Sequence, residues 1–432
     1  MAEARRRFDA SEKCAVDLDR GDRLAAFRER FSIPPGAVYM DGNSLGLLSK
    51  DAEMELCRTI NEWRSLGIRG WLEGNPPWFY LAERLGAMAA PLVGAAPDEV
   101  VATGTTTLNI HSLVSTLYRP RRGRAKIVAS RLDFPTDLYA LRSQIALKGL
   151  DPRETLVLVP RDDGAFVDEA EVAALMRSDA ALVCLPSVVY QSGQLLDMPL
   201  LAAAARQRDV MIGFDCSHSV GAVPHEFDSW GVDFALWCGY KYLNGGPGSP
   251  AFLYLNRRHF DLEPALAGWF GCVKERQFDL ALEFGHARSA GGWQISSPGI
   301  LASSALLGAL GITVEAGIDA IREKSLALTS YLVFLVDELL SGEPYRFSIG
   351  SPREAARRGG HVAVVHEEAL RICGALKARG IIPDFRPPSI IRIAPIALYN
   401  TYHEVWETVH ALKAIIDRRE FEAFPKERDA IS

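Results

Sequence analysis

The sequence predicts an α/β protein with a smaller α+β domain at its C-terminal end, and two observations predict it. Between about residues 100 and 255, short apolar runs alternate with longer amphipathic stretches, the pattern of βαβ units around a largely parallel sheet. Beyond about residue 300 the order changes to two long helical stretches followed by short strands and single helices.

Taken in order, the strands expected in the first region are Lys126–Ser130, Thr155–Val159, Ala181–Leu185, Val210–Phe214, Phe234–Cys238 and Ala251–Leu255. Helices Thr136–Lys148, Asp168–Arg177 and Leu200–Arg208 lie between them, each long enough for a right-handed crossover. The second region should hold helices Leu301–Gly317 and Ile321–Leu340, strand Val362–Val365, helix Glu367–Arg379, strand Ile390–Ile393 and helix His403–Asp417. Pro34-Pro35-Gly36 separates an N-terminal helix from the rest of the chain.

Composition excludes several function classes. The chain has 432 residues, 48% apolar and 24% charged, which is enough for a large core and unlike a disordered segment. A net charge of -6 argues against binding a nucleic-acid backbone. The seven cysteines are odd in number and contain no C-x-x-C pair, so neither a disulfide framework nor a metal site is expected and a cytoplasmic location is. Arg5–Arg7 is followed by mixed charge rather than an apolar run, unlike a signal peptide. The most apolar stretch, Ile300–Val314, is shorter than a membrane span and reads as a buried helix.

The chemistry concentrates between Gly213 and Gly248. Asp215 follows an apolar strand, at the end where open α/β sheets gather ligands. Lys241 follows strand Phe234–Cys238, is flanked by Tyr240 and Tyr242, and precedes Gly245-Gly246-Pro247-Gly248. Alone, Asp215 reads equally as a turn residue and Lys241 as a solvated loop lysine. Together they match the needs of pyridoxal phosphate (PLP): an amine to hold the cofactor and a carboxylate to keep its ring nitrogen protonated. Thr103-Gly104-Thr105-Thr106-Thr107, before the helical stretch Leu108–Tyr118, offers hydroxyls and N–H groups to a phosphate. Phe134, in Phe134-Pro135-Thr136-Asp137, stands at a strand end where a planar ring could stack on it.

Six segments together resemble kynureninase: YMDGNSLGLL (39–48), FPTD (134–137), Asp215–His218, YKYLNGGPGS (240–249), GWFG (268–271) and IIRIAPIALYNTYHEVW (390–406). The resemblance implies a fold-type-I PLP architecture with a mostly parallel seven-stranded sheet. It also implies a homodimer with shared active sites and hydrolysis of L-kynurenine to anthranilate and L-alanine in tryptophan catabolism. The division expected is an arm (1–50) packing on the small domain, a large PLP-binding domain (51–310) and a small C-terminal domain (311–432).

Position by position, the resemblance makes Lys241 the cofactor lysine, Asp215 the ring-nitrogen partner and Phe134 the stacking ring. Thr106, Thr107 and Tyr240 fall at phosphate contacts, and Pro135, Thr136, Asp137 and His218 fall in the cofactor pocket. Trp269 would reach the partner subunit's cofactor, Arg392 would grip the substrate α-carboxylate, and Ser44 would join it. Tyr240 is also a candidate proton donor. Where the family commonly has a Ser or Thr hydroxyl, this chain has Pro186 with Ser187 beside it. Trp71 takes the place of a histidine, and Ser297 that of an asparagine, in relatives that favour 3-hydroxykynurenine, so Trp71 and Ser297 should not reward a ring hydroxyl. Three alternatives stay open: a relative acting on 3-hydroxykynurenine or a methylated ring, a cysteine desulfurase using a mobile cysteine, and a silent PLP-fold binding protein.

Overall fold

The computed structural model describes residues 8–159 and 166–427, so Arg5–Arg7 lie outside the described residues. Seven strands form the central sheet: β1 (Val100–Ala102), β2 (Lys126–Ser130), β3 (Leu156–Val159), β4 (Ala180–Pro186), β5 (Met211–Asp215), β6 (Phe234–Cys238) and β7 (Ala251–Leu255). Their order is β1-β7-β6-β5-β4-β2-β3. The five strands β2 to β6 run parallel to one another, while β7 is antiparallel to both β6 and β1.

The strands read as near-continuous apolar runs because both faces of this sheet are covered. Val128, Val183, Ile212, Phe214, Ala235 and Trp237 enter one apolar cluster. Their neighbours Ile127, Leu182, Cys184, Phe234 and Leu236 enter the cluster on the opposite face. A third cluster holds the C-terminal strands and helices together with Ala15, Val38 and Met40 from the N-terminal arm. The C-terminal sheet contains β8 (Ser348–Ile349), β9 (Val362–Val365), β10 (Asp384–Arg386) and β11 (Ile390–Ile393), in the order β10-β11-β9-β8.

Most expected elements are present, with shifts at their ends that local chemistry explains. Asp168 is the N-cap of helix Glu169–Leu175 rather than its first residue, accepting from Ala170 N at 2.7 Å. Thr155 closes the short helix Pro152–Thr155 instead of opening β3. The helix expected from Leu108 begins at Thr106, because Thr105 caps it by accepting from Leu108 N. Strand β1 is too short at three residues to show a period of two, and sequence patterning does not reveal it.

Helix Ile300–Ala316 is buried along one side only, since Leu301 and Val314 face outward. It lies so close to helix Lys50–Leu66 that a Cβ at Gly308 would overlap the Asp51 carbonyl. The helix ends at Gly317, whose φ of 78° suits glycine. The boundary expected after residue 310 therefore falls inside a helix. Among the described residues, no single helix is long and apolar enough to cross a membrane; a bent pair meeting at 81° passes that test only when joined.

Candidate active site

The C-terminal ends of β2, β4, β5 and β6 open on one edge of the sheet, and the chain leaving each carries part of the site. Lys241 follows β6 by three residues, and its Nζ lies 2.9 Å from His218 Nε2, on the segment after β5. Burial, helped by Lys241 and Arg392, holds the His218 imidazole well below its ordinary pKa. The ring is therefore neutral, Nε2 accepts from the lysine, and Nδ1 carries the proton. A second buried imidazole, His361, meets it edge-on with ring centroids 5.7 Å apart.

Asp215 is the last residue of β5, and its Oδ1 accepts from Ser217 N at 2.8 Å. Asp137, in the first turn of helix Pro135–Leu147, hydrogen-bonds to the Asp215 carboxylate. Burial and the negative charges of Asp215 and Asp133 raise the Asp137 pKa well above the usual range, so Asp137 keeps its proton and donates it. Asp133 is likewise raised by burial and accepts from Ser130 N at 3.0 Å.

Two helix N-termini converge beside these carboxyls. Thr107, in the first turn of helix Thr106–Leu117, shares a 2.8 Å hydroxyl–hydroxyl bond with Thr136, in the first turn of the helix that Pro135 opens. Free N–H groups and aligned peptide dipoles at such ends favour an anion. Phe134 precedes the second helix with 44% of its surface exposed and meets Tyr190 edge-on at 5.3 Å. Tyr240 is partly buried, and burial together with Cys238 and Asp215 pushes its phenol upward, so it stays protonated. Ser187, next to Pro186, is fully buried and bonded to Ser219 Oγ at 2.7 Å and to the Asp215 carbonyl at 3.2 Å. Its hydroxyl braces the strand ends.

Arg392 on β11 is 1% exposed. Its Nη1 donates to the Tyr190 carbonyl at 2.8 Å and its Nη2 to Ser44 Oγ at 2.7 Å. Asp384, directly opposite on β10, sits 2.5 Å from Nη2. Sequence reasoning missed Asp384, Tyr190 and His361. A signal for Asp384 existed in the Pro387-Pro388 turn between two apolar runs, which sets the hairpin register against Arg392.

Among the described residues, Trp71, Trp269 and Ser297 make no hydrogen bond or ring contact with the Lys241 group. Trp71 packs against Trp78 and Phe270, Trp269 against Phe270 and Phe278, and Ser297 is exposed. A separate cavity of about 450 Å³ opens at the opposite edge of the sheet, between Arg119, Arg124, Arg206 and Arg258. All four arginines are engaged by Asp209, Asp233 or main-chain carbonyls, and the cavity lies away from the chemistry.

A doubly wound sheet with a lysine, a carboxyl pair and two helix N-termini at one edge defines a fold-type-I PLP enzyme. Two solved structures share the fold: a cysteine desulfurase from Thermococcus onnurineus NA1 (TM-score 0.78, 18% identity, 91% of this chain and 98% of that one), and a mutant of C-DES with glycine covalently linked to its PLP cofactor (TM-score 0.77, 17% identity, 90% and 99%). A family model described as the kynureninase C-terminal domain matches residues 321–412. A kynureninase of Geobacillus thermodenitrificans (strain NG80-2) is 52% identical over 418 residues, 97% of each chain. One of Bacillus mycoides is 49% identical over 425 residues, 98% of this chain and 99% of that one. The chain belongs to the kynureninase family.

The residues present fit PLP. Asp137 Oδ1, Ser217 Oγ and His218 Nδ1 are buried polar atoms without hydrogen-bond partners in the described structure, and all belong to the Lys241 group. Such atoms are costly unless a bound group satisfies them.

Proposed function

We propose that this enzyme hydrolyses the Cβ–Cγ bond of L-kynurenine to give anthranilate and L-alanine. The observation that carries the reading is the gathering of Lys241, the Asp215–Asp137 pair and the buried Arg392 around His218, in a chain half identical to kynureninases over nearly its full length. Bound PLP supplies an aldehyde carbon for amines and a ring that accepts the electron pair released at the substrate α-carbon.

Each residue then has a task. Lys241 Nζ holds the cofactor and, once free, takes and returns the α-proton, with His218 Nε2 orienting it. Asp137 donates to Asp215, which keeps that carboxylate aimed at the ring nitrogen and able to hold a proton there. Thr106, Thr107 and Thr136, at the two helix N-termini, bind the phosphate, and Phe134 stacks on the ring. Arg392 and Ser44 bind the α-carboxylate. Tyr240, protonated at working pH, is a proton donor to the leaving fragment.

Trp269, Trp71 and Ser297 serve the partner subunit's site in a homodimer, and the seven free thiols suit a reducing cytoplasm. The desulfurase alternative is disfavoured by Cys373, which is 2% exposed inside helix Ala369–Ala378 with its thiol pushed upward by burial. Such a thiol is neither mobile nor nucleophilic. The test is product analysis with L-kynurenine, 3-hydroxykynurenine and ring-methylated analogues offered side by side. Release of anthranilate and L-alanine in equal amounts is expected, and sulfur release from cysteine without kynurenine cleavage would overturn the reading.

A further inference from the structure

The arm segment that carries Ser44 also brings a second carboxylate to Arg392. It runs alongside the end of β11: Ala394 N donates to the Met40 carbonyl at 2.9 Å, and Asp41 pairs with Ala394. Asn400 Nδ2 holds the Tyr39 carbonyl at 3.0 Å. A Cβ at Gly42 would overlap the Tyr399 hydroxyl and Ile396, so the turn after Asp41 is tightly packed. Asp41 is thereby fixed on the arginine cluster.

A hydrogen-bond chain connects the two. Arg392 Nη2 donates to Ser44 Oγ at 2.7 Å, and the Ser44 hydroxyl donates to the Asp41 carboxylate. Asp384 takes the other side of the cluster, 2.5 Å from Arg392 Nη2 and 2.8 Å from Arg386 Nε. Two guanidiniums thus face two carboxyls, and the ionised cluster is neutral before substrate arrives. An α-carboxylate at Arg392 adds a negative charge to a buried, balanced group, which is expensive unless a proton accompanies it. Asp41 is the member placed to take that proton, because it meets Arg392 only through Ser44, whereas Asp384 stands 2.5 Å from Arg392 Nη2 and 2.8 Å from Arg386 Nε.

We propose that Asp41 is a positioning residue that makes the Arg392 carboxylate site sensitive to pH, taking up one proton when an α-carboxylate binds and competing for the guanidinium while ionised. The inference rests on Arg392 being the ligand of the substrate carboxylate.

Burial and the Asp384 charge push the Asp41 carboxyl up to about 6, against the Ser44 hydroxyl, Arg392 and Arg386, which lower it. The phenols and the thiol that face it do not change charge near neutrality. Tyr39 is raised to about 12, and burial raises Tyr242, Tyr399 and Cys373 as well. Below the Asp41 pKa the carboxyl is neutral and carboxylate binding is strong; as pH rises through it, binding weakens, and the loss levels off above the higher pKa of the complex.

The test uses 4-(2-aminophenyl)-4-oxobutanoate, which is kynurenine without its α-amine and so cannot condense with the cofactor. Calorimetric titration of the holoenzyme in buffers of different ionisation heat reads both Kd and protons taken up. Between about pH 5.5 and 7.5 the wild-type Kd should rise about tenfold, with up to one proton bound per site. Asp41→Asn should flatten the profile, abolish the uptake and remove the matching pH dependence of KM for L-kynurenine. A flat wild-type profile, or an unchanged slope in Asp41→Asn, overturns the proposal. Should Asp41→Asn not fold, Ser44→Ala breaks the same chain at its middle, and an undiminished proton uptake there overturns it equally. Arg392→Met separates the two readings: if that variant binds the analogue as tightly as wild type, the assignment of the carboxylate site itself has failed.

Discussion

Two regions of this protein carry its functional side chains in opposite ways. Around Lys241 most polar groups are buried and several engage one another, as in the 2.9 Å contact to His218 and the Arg392–Asp384 pair. At the aromatic edge, rings pack mainly on one another with Lys274 Nζ over Phe79 and Phe270, and the outer members face outward: Phe278 and Leu280 are each 70% exposed and Ile68 is 80% exposed. The first region is assembled by one chain. The second presents apolar surface worth about 1.5–3 kcal/mol per large side chain on burial, which favours a second molecule against it.

The largest expected effect strikes the assembled region. Lys241→Ala should abolish turnover while the fold persists, because on the proposed reading the amine is needed both to hold the cofactor and to move the proton, and it lies outside the apolar clusters. Activity against L-kynurenine above trace level, with an unchanged circular dichroism spectrum, would end the assignment of that lysine. Asp215→Asn should keep PLP bound but lower kcat by about two to four orders of magnitude, since an amide cannot hold a proton on the ring nitrogen. Normal kcat with bound cofactor would remove Asp215 from that role.

The aromatic edge should respond through assembly. Phe278→Glu combined with Leu280→Glu places charge on the outward surface and should turn a dimer into a monomer with activity lowered about tenfold or more, through loss of shared sites. Sedimentation and activity measured together decide it: a wild-type chain that is monomeric and fully active at nanomolar concentration would show the edge to be merely exposed. The smallest effect concerns selectivity. L-kynurenine should be used at least as well as 3-hydroxykynurenine, and Trp71→His with Ser297→Asn should shift kcat/KM toward the hydroxylated ring by about ten- to a hundredfold. A tenfold wild-type preference for the hydroxylated substrate contradicts the reading.

Much of the catalytic end of the sheet was legible in the sequence. Asp215 and Lys241 come after apolar runs that both become strands, and in a parallel sheet successive strand ends fall on the same edge. The short strand β1 left no periodic signal, and the helix onset near Thr106 depended on which of three consecutive threonines became the cap. Asp41 lies within the motif at 39–48, yet no local pattern marks it as a neighbour of Arg392, 351 residues away along the chain.

What the sequence determined by itself is the layered α/β plan and the chemical inventory at its edge, because strand period, helix caps and turn residues act over a few neighbours. Tertiary structure alone decided the charge states. Asp137 keeps its proton because Asp133 and Asp215 are folded against it out of water, and His218 stays neutral because it is buried beside Lys241. Asp41 sits near neutrality because the arm is laid beside β11 opposite Asp384. Each depends on desolvation and on charges brought together from distant segments, and neither exists until the chain has closed around them.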